Sequence, residues 1–462
     1  VSGVASAAGA ASAPRFSDTA DRILGGALAG GASEAEAFFV HGRELTVKVF
    51  DGDVEALTSA ESQGVGVRVF AGGRMGFAYT SDLSDAGVER VVAQAVDACR
   101  YNEPDEHNGL PSSSPLSDLP ELVAEDFDVR SVEDRVAMAL ELDRLTAAAN
   151  PAVRRTAGAV YSDERGRNEL YNTRGLRASF DATVAYAYVE AIAERDEEMQ
   201  SGFSFTFGRS ANALDLAACA DEAADRAARL LGAAQVSSRT TPVLFEPWAA
   251  AELIGTLASS ISAEAVQKGR SLLAGRLDSA IASESVTIVD DGRHPDGLAS
   301  RPWDAEGVPT QRTVLVDRGV LRSYLHNTYT ARRDGTAAST GNASRGSYRA
   351  TPELAPSNMV LLPGDLGPDE LLQRMGDGVL VCDVHGLHTV NPVTGEFSLG
   401  INGFLVSDGK RGAPVREMTV AGTVLGLLQS VEAVGSDLRW MVGSAFVGAP
   451  SLLVRELPLS GS

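Results

Sequence analysis

The eighteen-residue run Leu176–Ala193 alternates with a period of two and places Tyr186 and Tyr188 on one face. That periodicity is a strand's and not a helix's. Three shorter alternating runs surround it, Ala157–Tyr161, Arg167–Asn172 and Gly202–Gly208. Together they predict a sheet of long antiparallel strands. Before them, Ser17–Ala29 reads as an amphipathic helix with Ser17 or Asp18 as N-cap. The strand patterns Ala37–Val40, Leu45–Phe50, Gly64–Phe70 and Gly76–Tyr79 follow, with turns at Asp51-Gly52 and Gly72-Gly73. Further helices are predicted over Val88–Cys99, Val132–Ala149 and Leu214–Leu231, and residues 102–130 read as a polar surface connection.

The pattern restarts near Ser237–Pro242, with one helix from Pro247 to about Ala265 and then several hairpins. The clearest of these turn at Asp317–Gly319 and at Asp408-Gly409, and a last helix is expected over Val424–Val434. The fold class expected is α+β. Residues 1–15 form a disordered tail, residues 16–236 an N-terminal mixed α/β domain, and residues 237–462 a β-rich domain with a barrel or curled sheet.

A hydrophobic content of 44% over 462 residues supplies a core. The net charge of −22, with no basic block, sets the chain against phosphate backbones, so no nucleic-acid partner is expected. No apolar run approaches the ~18 residues that a membrane span needs. The cysteines Cys99, Cys219 and Cys382 are far apart and odd in number, which suits a reducing cytoplasm better than a disulfide framework.

Nucleotide-binding glycine loops, the G-x-S-x-G elbow and C-x-x-C are absent. Cys382, His385 and His388 offer three zinc-type donors within one short stretch, although a strand end followed by a loop with solvated histidines accounts for them as well. Asp304 and Glu306 could work as an acid–base pair or cap turns. Asp290-Asp291 is a weaker instance of the same pattern. The turn-rich segments Ser339–Ala343 and Asn391–Glu396 could leave backbone N–H groups free for a ligand or be ordinary turns.

Read in order, the C-terminal segments resemble the TldD/PmbA family. The stretches that carry the resemblance are Gln267-Lys268-Gly269, Asp304–Thr310, Ser339–Asn342, Asn391–Ser398, Gly403–Val406, Pro414–Gly422 and Val434–Asp437, with Tyr171–Gly175 in the first half. The resemblance implies a heterodimeric zinc peptidase acting on extended or unfolded peptides, with roles in maturing peptide antibiotics and degrading an antitoxin. In the TldD-type subunit an H-E-x-x-x-H helix and a later cysteine hold zinc, and the glutamate is the general base. Counted back from Gln267, that motif falls on Ile254–Ser259. Ile254, Gly255 and Ser259 stand where the two histidines and the glutamate belong, and Leu438–Ser444 has no cysteine. The resemblance is therefore to the metal-free TldE/PmbA-type subunit: no cofactor in this chain, and zinc in an H-E-x-x-x-H partner. Asp304, Glu306, Asn342, Asn391, Thr394 and Asn402 become the expected substrate or partner contacts.

Overall fold

The computed structural model describes residues 15–461, apart from positions 113, 117, 118, 120, 121, 337 and 444. The tail expected over residues 1–15 lies outside them, except for Arg15. The first half builds one antiparallel sheet from β1 (Glu34–Phe50), β2 (Asp53–Ala71), β3 (Arg74–Thr80), β4 (Val153–Asn172), β5 (Arg177–Arg195) and β6 (Glu198–Gly208), in the order β3-β2-β1-β4-β5-β6. Asp51 (φ 52°) and Gly52 (φ 79°) form the first hairpin turn, and Gly72 and Gly73, also at positive φ, form the second.

The strands are longer than their sequence patterns suggest. The expected Ala157–Tyr161 and Arg167–Asn172 are one strand, because β1 and β5 pair across the polar stretch between them (Arg43 with Arg165, Arg165 with Thr183). Ladder hydrogen bonds on both sides hold residues whose side chains alone would read as a loop.

Period-two alternation then divides the sheet. Ala35, Ala37 and Phe39 of β1 pack under α1 (Ser17–Ala29) and α2 (Asp85–Tyr101), while Leu45, Val47 and Val49 pack under α3 (Val132–Ala149) and α4 (Leu216–Ala228). Glu36 and Phe38 point the other way, toward the second half. α1 starts at its predicted residue but without the predicted cap. Its N-cap is Phe16, whose ring stacks on Phe39 at 4.8 Å, and the Glu169 carboxylate accepts from the Arg15 and Phe16 amides. A buried acid thus anchors the chain at the entry to the helix, with no side chain capping its first amides. α3 carries a full capping box between Ser131 and Asp134.

The second half opens with β7 (Arg239–Phe245) and α5 (Pro247–Gly255). β7 sits between Gly378–His385 and Leu452–Ser460 in a sheet that continues through Glu396–Ser407 to Lys410–Thr423. Pairing of Thr419 and Val420 with Ser460 and Leu459 closes these five strands into a barrel, as the sequence led one to expect. A second six-stranded sheet runs from Val320–Leu321 to the terminal strand Arg439–Val442. The largest apolar cluster of the molecule lies between barrel, sheet and α5.

Two helices differ from expectation. The one predicted from Pro247 to about Ala265 is broken into α5, Leu257–Ser260 and Ala263–Gln267. Gly255 weakens it, the Thr256 hydroxyl donates back to the Leu253 carbonyl at 2.6 Å, and Ser262 caps the following turn. The last helix stops at Gln429, and Val431–Val434 joins the sheet beside Leu452–Val454, where burial of β-branched side chains outweighs helical spacing.

Candidate functional site

α5 turns Leu253 and Ile254 into the core and its other side toward a cleft of about 690 Å³. Glu252, Gly255, Thr256 and, one turn on, Ser259 line one wall; Met441, Val442 and Val447 line the other, with His388 and Val390 also contributing. The two segments that the family resemblance points to, 254–259 and 438–444, both contribute to this space, Ser444 itself lying outside the described residues. Arg439–Val442 is the last strand of its sheet, paired on one side with Phe446–Ala449 and, among the described residues, with no strand on the other. Val442 is 56% exposed at that edge.

The cleft is mostly apolar, and Glu252 is the one carboxylate among its described lining residues, with His388 its other ionisable side chain. Glu252 is half-buried, and among the described residues its carboxylate has no hydrogen-bond or ion-pair partner. Burial pushes its pKa up to about 7; Asp383 adds to the shift and Arg226 opposes it. Arg226 is already engaged, paired with Asp383 and stacked 4.4 Å over the Trp248 ring.

The residues present do not fit zinc. Ile254 is 1% exposed and has no donor atom, and Gly255 has no side chain. A Cβ at Gly255 would meet only Val447 at 3.7 Å, so the space for a larger residue is there while the ligand is not. Among the described residues no three His, Cys, Asp or Glu side chains gather as a metal site. That holds also for Cys382, His385 and His388, which the fold sends in different directions. Cys382 is fully buried beside Leu244 and Phe404, and burial drives its thiol well above the usual range. His385 is exposed and bonded to Asn402 at 3.0 Å, and Gly386 in the left-handed region turns the chain so that His388 reaches the cleft.

The remaining candidates do not gather at this cleft. Asp304 is fully buried and accepts from the amides of Glu306, Val308 and Ala343; burial and the nearby Glu306 raise its pKa. Glu306 accepts from Arg68 at 3.0 Å and from the Thr328 amide at 2.8 Å. Arg68 also binds Glu36, and Glu36 binds Arg345, so four buried charges tie the first sheet to the second half. Burial, which would raise the Glu36 pKa, is outweighed by Arg68 and Arg345, and it lies below the usual carboxylate range. Asn342 is buried against Asp290 and Thr340. These three side chains hold the fold and offer nothing to a peptide. Asn391 accepts from the Val393 and Thr394 amides in an exposed turn, where the Thr394 hydroxyl donates to Glu396. Asn402 is half-buried beside His385. Glu252 and the Arg439–Val442 edge were missed; a lone acid in the apolar run Ala249–Ile254 was the available signal for the first.

Three family models cover most of the chain: PmbA/TldA metallopeptidase domain 1 over residues 35–99, its central domain over 125–231 and its C-terminal domain over 238–461. The metalloprotease PmbA of Escherichia coli O157:H7 is 27% identical over 441 residues, 94% of each chain. A Thermotoga maritima structure, named as a candidate modulator of DNA gyrase, is 30% identical with a TM-score of 0.88, covering 96% of this chain and 100% of that one. TldE from Thermococcus kodakarensis shares the fold, with a TM-score of 0.89 at 23% identity over 96% of this chain and 100% of its own. With its barrel, its long-stranded sheet and these matches along nearly all its length, the chain belongs to the PmbA/TldD metallopeptidase family.

Proposed function

We propose that this chain is the metal-free, TldE-type half of a two-subunit zinc peptidase that cleaves extended or unfolded peptides in the cytoplasm. The observation that carries the reading is the side-chain chemistry at Ile254, Gly255 and Ser259: one apolar residue in the core, one residue without a side chain, and one hydroxyl. None replaces an imidazole or a general base. The helix that would carry the ligands is nevertheless kept as packing, and the cleft beside it is kept open. In this reading the zinc-bearing H-E-x-x-x-H partner supplies the chemistry. This chain supplies a wall of the substrate chamber, where an extended peptide can add to the Arg439–Val442 edge. Among the described residues no helix is long and apolar enough to cross a membrane.

The test is purification of the chain alone, with metal analysis and a peptidase assay, followed by co-expression with an H-E-x-x-x-H chain of the same frame. The expected result is no stoichiometric zinc and no cleavage alone, and both in the complex. Robust cleavage by the isolated chain would overturn the assignment. A self-sufficient site at Cys382, His385 and His388 is the competing reading, and the burial of Cys382 away from the two imidazoles counts against it.

A further inference from the structure

Glu252 has no role in the fold that accounts for its position. It lies in the wall of the cleft, half-buried, and among the described residues nothing donates to it. A carboxylate desolvated without a partner is costly, and most such groups in proteins are paired. No lysine or arginine lines the cleft; its other titratable lining residue is His388. The cation whose field reaches Glu252, Arg226, is bound to Asp383 and stacked on Trp248, so it adds one positive charge to a site with two carboxylates. The site is short of one cation. Across from it, an open strand edge and the apolar side chains of Met441, Val442 and Val447 suit a main chain in extended form with apolar side chains.

We propose that the cleft selects extended peptides carrying a positive charge, the cationic group docking on Glu252 while the peptide backbone pairs with the Arg439–Val442 edge. This rests on the reading of the cleft as a peptide site and adds the class of peptide to it. A bound cation supplies the missing charge and holds Glu252 ionised, which the empty cleft disfavours. The cation is either a lysine or arginine side chain or a free N-terminal ammonium; both are donors of the same kind, and they separate by experiment.

The experiment is fluorescence anisotropy of the full chain with labelled eight-residue peptides. One carries a central lysine, the second norleucine in its place, and a third carries norleucine with a free N-terminus; the first two are acetylated and amidated. A hydrogen-bonded charge pair at such a site is worth roughly tenfold in affinity. The lysine or the free-amine peptide should therefore bind about tenfold tighter than the capped norleucine peptide, and whichever does identifies the source of the cation. In E252Q, which is isosteric, that preference should vanish while the capped norleucine peptide binds as before. E252K should reverse it in favour of a glutamate peptide. Equal binding of all three peptides by the unmodified chain, or a preference that survives in E252Q, overturns the role of Glu252 and leaves the peptide site standing. Binding of none of them overturns both.

Discussion

Removing Arg68 tests what the four-charge cluster does. Its side chain is 6% exposed and bridges Glu36 at 2.9 Å and Glu306 at 3.0 Å, and Glu36 and Glu306 come from opposite halves of the chain. With Arg345 the cluster is neutral, so Arg68→Met leaves one buried negative charge. Glu36 keeps its ion pair with Arg345, whereas Glu306 is left, among the described residues, with the Thr328 amide as its hydrogen-bond donor and no ion pair. Breaking a buried pair by removing one partner costs about 3–5 kcal/mol, chiefly through the charge left behind. Arg68→Met should lower stability by that amount in equilibrium urea unfolding. Tryptophan fluorescence is a suitable probe, because Trp303 packs on Phe38 and Phe180 where the halves meet.

The pH dependence is a second reading of the same cause. An unpaired buried carboxylate has a folded-state pKa above its unfolded value, so the folded variant binds the extra proton, and its stability falls as pH rises above about 4.3. The deficit should therefore be smaller at pH 5 than at pH 8. Adding Glu306→Gln removes the stranded charge and should recover part of the loss. A loss under about 1 kcal/mol, or no recovery in the double variant, would refute the claim that these charges join the two halves.

Introducing Ile254→His, Gly255→Glu and Ser259→His together should still confer no stoichiometric zinc binding by metal analysis, because Leu438–Ser444 supplies no cysteine as a further ligand. It should also destabilise the chain by about 2–5 kcal/mol, since Ile254 is core. Glu252 is held protonated to about pH 7, so the folded state binds its proton more tightly than the unfolded chain does, and wild-type stability falls between the ordinary carboxylate range and pH 7. Glu252→Gln should therefore gain stability relative to wild type at pH 8 and not at pH 4.5, measured by urea midpoints, with Asp383 and Arg226 the charges that act on it and His388 lining the same cleft. Gly76→Ala would place a Cβ 2.0 Å from the Ala95 carbonyl oxygen, where β3 meets α2, and should cost about 1–3 kcal/mol in the same assay. All three cysteines are buried, so a disulfide-exchange reagent should label none rapidly in the native chain and all three in denaturant.

The sheet, the helices over it and the barrel were legible because each rests on local chemistry. Alternation marks β5, and Asp51-Gly52 and Gly72-Gly73 mark two hairpins. That Ile254, Gly255 and Ser259 offer neither imidazole nor carboxylate was legible too, since a donor atom is either present at a position or not. The length of β4 was not, because partners on both sides hold its polar middle in the ladder.

What the amino-acid order determined alone is the alternation, the turns, the acidic charge and the lack of donor side chains at Ile254 and Gly255, all properties of residues and their nearest neighbours. Only the tertiary structure decided which polar groups meet. It buried Asp304, Glu306 and Asn342 in bonds to residues far along the chain, set Cys382 away from both histidines, and left Glu252 unpartnered beside an open strand edge. Those outcomes depend on desolvation and on contacts between distant segments, which burial creates and no local pattern encodes.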